Sequence, residues 1–196
     1  MSFRDYHIIL ASNSPRRKEL LAGLDIDFDV KVLPNIAEDF PKDIPASDVA
    51  RYISMEKAFA YKNLIKETDL VITADTVVIV GEEILGKPID AADAKRMLTT
   101  ISGKTHQVVT GVCFTTTQFQ HSFKVSTDVT FKELSEEEMD YYIKTYKPYD
   151  KAGAYGIQEW IGYVGVTELV GSYFNVMGLP VLRLSRMLAQ FGIKLL

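Results

Sequence analysis

The sequence contains one cysteine and three histidines in 196 residues, and each scarcity removes a class of chemistry. A lone Cys113 forms no internal disulfide and builds no thiolate zinc centre. Set in the apolar segment Val108–Phe114, it reads as a buried thiol. His7, His106 and His121 show no paired metal spacing and no nucleophile partner, so they read as structural or exposed residues, and a histidine triad has no support. No run approaches the roughly 18 apolar residues of a spanning helix, and the opening MSFRDYHIIL lacks a long apolar core and a cleavage site. A cytoplasmic protein without a membrane partner is expected. Excess positive charge is missing too: 22 Lys and Arg face 26 Asp and Glu, a formal net charge of −4. That balance argues against a nucleic-acid polymer as partner, because such contacts are carried by clustered cations. A small anion held by a few local cations stays open.

What remains is ordinary globular material, 47% apolar and 24% charged, enough to bury one core. β-branched runs alternate with helical patterns, with no repeat, low-complexity tract or linker, so residues 1–196 read as a single α/β domain. Ile8–Ala11 is a strand, and Ser14 caps a helix with Pro15 at its first position and Leu20, Leu21 and Leu24 inward. Ser47 to about Ile65 has apolar residues near helical spacing, including Phe59 and Ala60. Leu70–Val80 is β-rich and Gly81 begins a turn. Asp90 and Asp93 suit the first turn of a helix carrying Met97, Leu98 and Ile101. Thr105–Thr116 and Phe119–Phe131 form a hairpin, Ser135 and Glu138 make a capping box, and a last helix begins near Pro180 with Leu182, Leu184, Met187 and Leu188 packed.

Four segments could carry chemistry. In ASNSPRRKELL, a strand feeds a capped helix whose first turns hold Arg16, Arg17 and Lys18. Free backbone N–H groups and the positive end of the helix dipole attract phosphate, and an arginine adds a forked hydrogen bond. Surface helices often carry Arg and Lys, yet cations at a helix N-terminus run against the dipole, a local conflict that favours a functional reading. In VITADTVVIV, Asp75 is a carboxylate inside an apolar strand and requires a hydrogen-bond network, a cation or a metal. The alternative is an aspartate bonded to nearby backbone; Thr76 beside it is a second donor or a good strand residue.

GEEILGKP matches the first seven positions of a P-loop and is rejected as one. Pro88 follows the lysine, supplying neither the metal-binding hydroxyl nor the N–H, and Glu82 and Glu83 repel an anion. Lys87 stays a candidate phosphate contact, against the commoner solvated lysine. In DKAGAYGIQEW, glycines flank an aromatic and a carboxamide; Gln158 can read a base edge, and Tyr155 can stack or fill the core. Glu38 and Lys57 alone read as surface residues.

Together, ASNSPRRKELL, ADTVV, LGKP, SGKTHQVVTGV and DKAGAYGIQ resemble the Maf family of nucleoside triphosphate pyrophosphatases, in the family's order and over most of the chain. The YGIQ segment is similar to the branch acting on dTTP and UTP rather than on 7-methyl-GTP. The resemblance implies a mixed central sheet flanked by helices in two lobes around a cleft, often a homodimer, and a divalent cation, magnesium or manganese, as cofactor. It puts the proton acceptor on Asp75 and substrate discrimination on Arg16, Thr76 and Gln158. Ser14, Arg17, Lys57 and Lys87 fall on positions around the triphosphate, and Glu38, with Asp75, on the metal. Glu159 and Trp160 depart from the pattern, where many relatives place glycine after the glutamine.

The implied reaction is attack of water at the α phosphorus, releasing a nucleoside monophosphate and pyrophosphate, with cations neutralising phosphate oxygens that otherwise repel hydroxide. A rival is a regulator of cell division that binds nucleotide without turnover, as the family's association with septum formation suggests. Another is the same chemistry directed at modified nucleotides.

Overall fold

A computed structural model describes residues 6–193. In chain order its elements are β1 (His7–Leu10), α1 (Pro15–Ala22), β2 (Asp29–Val30), α2 (Ala46–Phe59), β3 (Asp69–Val80), β4 (Glu83–Leu85), α3 (Ala91–Ile101), β5 (Thr105–Thr115), β6 (Gln120–Phe131), α4 (Glu136–Tyr146), α5 (Trp160–Gly165), β7 (Val166–Val170), α6 (Tyr173–Met177) and α7 (Val181–Gln190). Among the described residues seven strands form one sheet in the order β2-β1-β3-β5-β6-β7, with β4 paired to β3. It is mixed: β1 runs parallel to β2 and β3, whereas β3/β4 and β6/β7 are antiparallel. The protein is thus α/β, a mixed sheet flanked by helices.

Local signals explain most of these elements. Ser14 caps α1, with Pro15 in the first turn; Asp90 caps α3 by accepting from the Asp93 N–H at 2.8 Å. Ser135 and Glu138 close both bonds of a capping box at α4. Between β5 and β6 the Thr116 N–H donates to the Phe119 carbonyl at 2.9 Å, closing the hairpin.

The chain divides into two compact units. The first comprises, among the described residues, those up to Asp75, Thr110–Val125 and those from Gly178 onward. In it Ile9, Ala11, Tyr61 and Val71 pack together. Its α2 buries Val49, Ala50, Ile53, Ser54 and Ala58. A methyl group on Gly111 of β5 would overlap the backbone of Ala50 and Arg51, so only glycine lets this helix lie against that strand. The second unit comprises Thr76–Val109 and Ser126–Met177. Its core takes Met97, Leu98 and Ile101 from α3, Val129 and Phe131 from β6, and Met139, Tyr142 and Ile143 from α4.

Of the apolar residues expected on inner faces, Phe59, Ala60 and Leu182 are exposed. Phe59 is 65% exposed and Leu182 63%. The buried face of α2 ends on Ala58, and the chain then leaves the helix through tight turns, with Tyr61 N–H donating to the Ala58 carbonyl at 3.0 Å and Leu64 N–H to the Tyr61 carbonyl at 2.8 Å. In α7 the inner stripe is Leu184, Met187 and Leu188, and Leu182 sits two residues, about 200° around the axis, from Leu184. Cys113 is fully buried, and burial pushes its thiol up to about 11.

His7 begins β1 and ties together the three parallel strands of the first unit. Its Nδ1 lies 3.1 Å from Asp69 Oδ1 and its Nε2 2.7 Å from Asp29 Oδ2. The bonds to Asp69 and then Asp29 raise its pKa above the ordinary 6.5. A raised pKa means that the bridge stabilises the fold below pH 6.5 and that this contribution disappears as pH rises through the folded value. The His7 imidazole is therefore expected to titrate above 6.5 in an NMR experiment, with Asp29→Asn and Asp69→Asn each lowering the midpoint. Exchange of the Lys31 amide, bonded to the Leu10 carbonyl at 3.2 Å, should quicken across that titration. A midpoint at or below 6.5 contradicts the bridge.

Candidate functional site

Two rungs join α2 to β3 in the first unit. The Thr73 hydroxyl donates to the Ser54 carbonyl at 2.6 Å. Two residues on along the strand, hence on the same face, stands Asp75; three residues on along the helix, hence on the same stripe, stands Lys57. Lys57 Nζ donates to Asp75 Oδ1 at 2.8 Å. The same ammonium lies 2.8 Å from Glu38 Oε1. The side chains of Lys57 and Asp75 are only 14% and 12% exposed and that of Glu38 is 48% exposed, so one cation holds a buried acid and an accessible one.

The second feature is the turn from β1 into α1. Ser14 Oγ accepts from the Arg17 N–H at 3.4 Å, and the Ser14 N–H donates to Ser12 Oγ at 3.2 Å. Arg17 then reaches away from its helix: Nε donates to the Gly178 carbonyl at 2.8 Å, and Nη1 to the Ala74 carbonyl at 3.0 Å and to Ser12 Oγ at 3.4 Å. Desolvation is the largest influence on this guanidinium and lowers its pKa; Arg16 does the same, while Asp75 and Glu38 oppose them. The conflict between cations and dipole is thereby resolved. Carbonyls and the acids of the site, rather than the helix, hold Arg17 in place.

The first unit therefore brings together Ser14, Arg16, Arg17, Glu38, Lys57 and Asp75. Ser12 and the Thr73–Ser54 rung also belong to this construction and were not singled out from the sequence. A hydroxyl straight after an apolar strand was the available signal for Ser12. Nothing marked the rung, because it is a side chain bonded to a backbone carbonyl far along the chain.

The remaining expected residues lie in the second unit. Thr76, next to Asp75 on β3, is half-buried and by strand alternation faces the opposite side. Lys87 is exposed just after β4, and the strand pairing of Glu83–Leu85 agrees with the rejection of a P-loop. Gln158 is half-buried, and its Oε1 is a buried acceptor with no hydrogen-bond partner. Tyr155 fills the core: its hydroxyl lies 2.7 Å from His106 Nε2, and burial lowers His106 to about 4. Trp160 packs edge-on to Tyr141 of α4, with ring centroids 4.9 Å apart.

Divalent cations such as magnesium take hard oxygen donors, often one or two carboxylates with water and substrate phosphates completing the shell. Glu38 and Asp75 are two such donors, already drawn to a single positive charge, so the side chains fit that role. Among the described residues no group of three or more His, Cys, Asp or Glu side chains could hold a metal by itself. A cation here would draw its other ligands from the substrate and solvent.

The family model described as Maf-like protein matches residues 7–191. A protein of Phocaeicola vulgatus named dTTP/UTP pyrophosphatase is 60% identical over 179 residues, 91% of this chain and 93% of its own length. A protein of the same name from Bacteroides thetaiotaomicron is 54% identical over 179 residues, with the same coverage of 91% and 93%. One from Porphyromonas gingivalis is 54% identical over 193 residues, 97% of either chain.

The two arginines are expected to behave differently when each is replaced with lysine. Arg17→Lys loses the planar fork that spans two backbone carbonyls and should lower stability by about 2 kcal/mol in denaturant unfolding. Arg16→Lys should leave stability within about 0.5 kcal/mol while impairing turnover. Equal stability of the two variants would contradict the strut geometry of Arg17.

Proposed function

The chain belongs to the Maf-like family, and on that premise we propose that it is a divalent-metal-dependent nucleoside triphosphate pyrophosphatase that hydrolyses dTTP and UTP to the monophosphate and pyrophosphate. The observation that carries this reading is the buried Asp75 on β3, 2.8 Å from Lys57, whose ammonium is shared with Glu38. The names of the relatives at 54–60% identity support the substrate class.

In this proposal water attacks the α phosphorus and the bond to the oxygen bridging the α and β phosphates breaks. Asp75 accepts the proton of the attacking water. Its Oδ1 accepts from Lys57, which leaves Oδ2 as the acceptor oxygen. Lys57 fixes the carboxylate and adds positive charge where charge develops on the phosphate oxygens. Arg16 and Arg17 add to that field, with Arg17 anchored through the Ala74 and Gly178 carbonyls. Ser14 Oγ accepts from the Arg17 N–H, and its own proton is left to donate to a phosphate. Lys87, exposed after β4, contributes a further cation. Glu38 and Asp75 would hold the metal, which would neutralise phosphate charge and acidify the attacking water.

Gln158 reads the base, with Arg16 and Thr76 as the other specificity positions. The carboxamide presents an acceptor beside a donor, matching the N3–H and O4 edge shared by uracil and thymine; cytosine reverses the pattern. The buried, unpartnered Oε1 supports this reading, since a buried acceptor gains most from a ligand that supplies its donor. The proposal includes a cytoplasmic homodimer. No helix among the described residues is long and apolar enough to cross a membrane.

Asp75→Asn preserves size and removes the proton acceptor, and it should lower kcat by more than about a hundredfold with the fold intact. A kcat within about tenfold of the starting protein, near 1.4 kcal/mol in barrier, would remove Asp75 from that role. Pyrophosphate release should require magnesium or manganese; nucleotide binding without release in either metal would favour the non-catalytic regulator.

Gln158→Ala should narrow the UTP to CTP ratio of kcat/KM rather than lower both values equally, since an unpaired buried group in the wrong complex costs about 1 to 3 kcal/mol. An unchanged ratio would move base selection elsewhere.

A further inference from the structure

Within the second unit, the loop that carries Gln158 is closed by a set of side chains to which the proposed reaction gives no task. Lys151 is 8% exposed. Its Nζ lies 2.8 Å from Asp150 Oδ1 and 3.0 Å from Glu159 Oε1. Tyr142 of α4, with no exposed surface, donates its hydroxyl to Glu159 Oε2 and accepts from the Gly156 N–H at 2.9 Å. Desolvation, followed by the bond to Glu159, pushes the phenol well above its ordinary pKa, so it stays protonated as the donor.

These contacts close the segment on itself. The Glu159 N–H returns to the Gly156 carbonyl at 3.0 Å, and the Glu159 carbonyl receives the Gly162 N–H at 2.9 Å at the start of α5. A Cβ on Gly156 would stand 3.0 Å from both Glu159 Cδ and Lys151 Cε, so the ion pair rests directly on the backbone of the loop. Tyr155 supplies a second anchor through His106.

Burial of a lysine needs a reason. Lysine and glutamate are rarely desolvated, and a well-packed apolar pair of the same volume usually serves stability as well or better. What the ion pair and phenol add is direction, because hydrogen bonds fix angles where apolar packing fixes volume. The residue immediately before Glu159 is Gln158, whose Oε1 is buried without a partner. An acceptor of that kind is useful for discrimination only when its backbone is held in one orientation.

We propose that Lys151, Glu159 and Tyr142 form a buried clasp of positioning residues that orients the Gln158 carboxamide and thereby sharpens the choice between nucleobases. The inference rests on the reading of Gln158 as the base-reading residue. It assigns to Glu159, the departure from the family pattern, the closing of the loop rather than contact with the base.

The test uses Glu159→Gln, Lys151→Met and the double variant in the full chain. Glutamine keeps the shape and the bond from Tyr142 but leaves Lys151 paired with Asp150 alone; the double variant removes both charges of the Lys151–Glu159 pair and keeps the experiment usable where a single variant folds poorly. Amide exchange at Gly156 should quicken by about tenfold or more in Glu159→Gln relative to amides of β6. The UTP to CTP ratio of kcat/KM should fall by about fivefold or more in all three variants, including a double variant whose Tm recovers. In a Gln158→Ala background, Glu159→Gln should add nothing to the ratio, since the clasp acts through that side chain. Unchanged exchange at Gly156 overturns the clasp. A ratio within about twofold of the starting protein, where Gln158→Ala itself shifts it, overturns the link to base selection. A starting protein that releases no pyrophosphate from UTP, or a Gln158→Ala variant with an unaltered ratio, overturns the base-reading premise instead, and exchange at Gly156 then decides whether the clasp exists.

Discussion

The ammonium of Lys57, held between the carboxylates of Glu38 and Asp75, is the interaction on which the rest of the site depends. A carboxylate in an apolar strand is costly unless a charge or hydrogen bond meets it. Meeting it requires α2 to lie against the sheet in one register. Gly111 allows the approach and Thr73 sets the register through the Ser54 carbonyl. Lys57 then falls over Asp75 as a consequence of helix and strand periodicity. In the proposed reaction the ammonium that stabilises the buried acid also supplies positive charge to the phosphate oxygens.

Arg17 solves a related problem by different means. It sits in the first turn of α1, where the dipole disfavours a cation, yet the carbonyls of Ala74 and Gly178 and the field of Asp75 and Glu38 hold it. The Ala74 carbonyl belongs to the residue preceding Asp75, so the guanidinium braces the strand at the point where its acid is presented. Ser14 caps the same helix through the Arg17 N–H. Structural support and candidate chemistry are therefore carried by the same few side chains, which explains why local rules are broken there and obeyed at α3 and α4.

Elements with strong periodicity or caps were legible in the sequence: β1, β3, the β5–β6 hairpin, α3 and α4 all lie close to their expected limits. The segment after Trp160 was not, because α5, β7 and α6 are five or six residues each and too short for a periodic signal. Phe59 is misplaced because α2 ends on it, and Leu182 because it lies on the other side of α7 from the inner stripe of Leu184, Met187 and Leu188. At the site, Asp75 stood out as a charge in an apolar strand and Arg16 and Arg17 as cations against a dipole. Lys57 and Glu38 looked like surface residues and entered through the family resemblance alone. Lys151 and Glu159 could not be recognised as a pair, since the fold of the loop brings them together and Glu159 takes its other bond from a tyrosine of α4.

In the reaction proposed for this chain, water attacks the α phosphorus of a pyrimidine nucleoside triphosphate. The direct measurement is turnover of UTP with magnesium in ¹⁸O-labelled water, followed by mass spectrometry of both products. Attack at the α phosphorus puts one labelled oxygen in UMP and leaves pyrophosphate unlabelled. Label in pyrophosphate, or release of UDP with labelled inorganic phosphate, would contradict it.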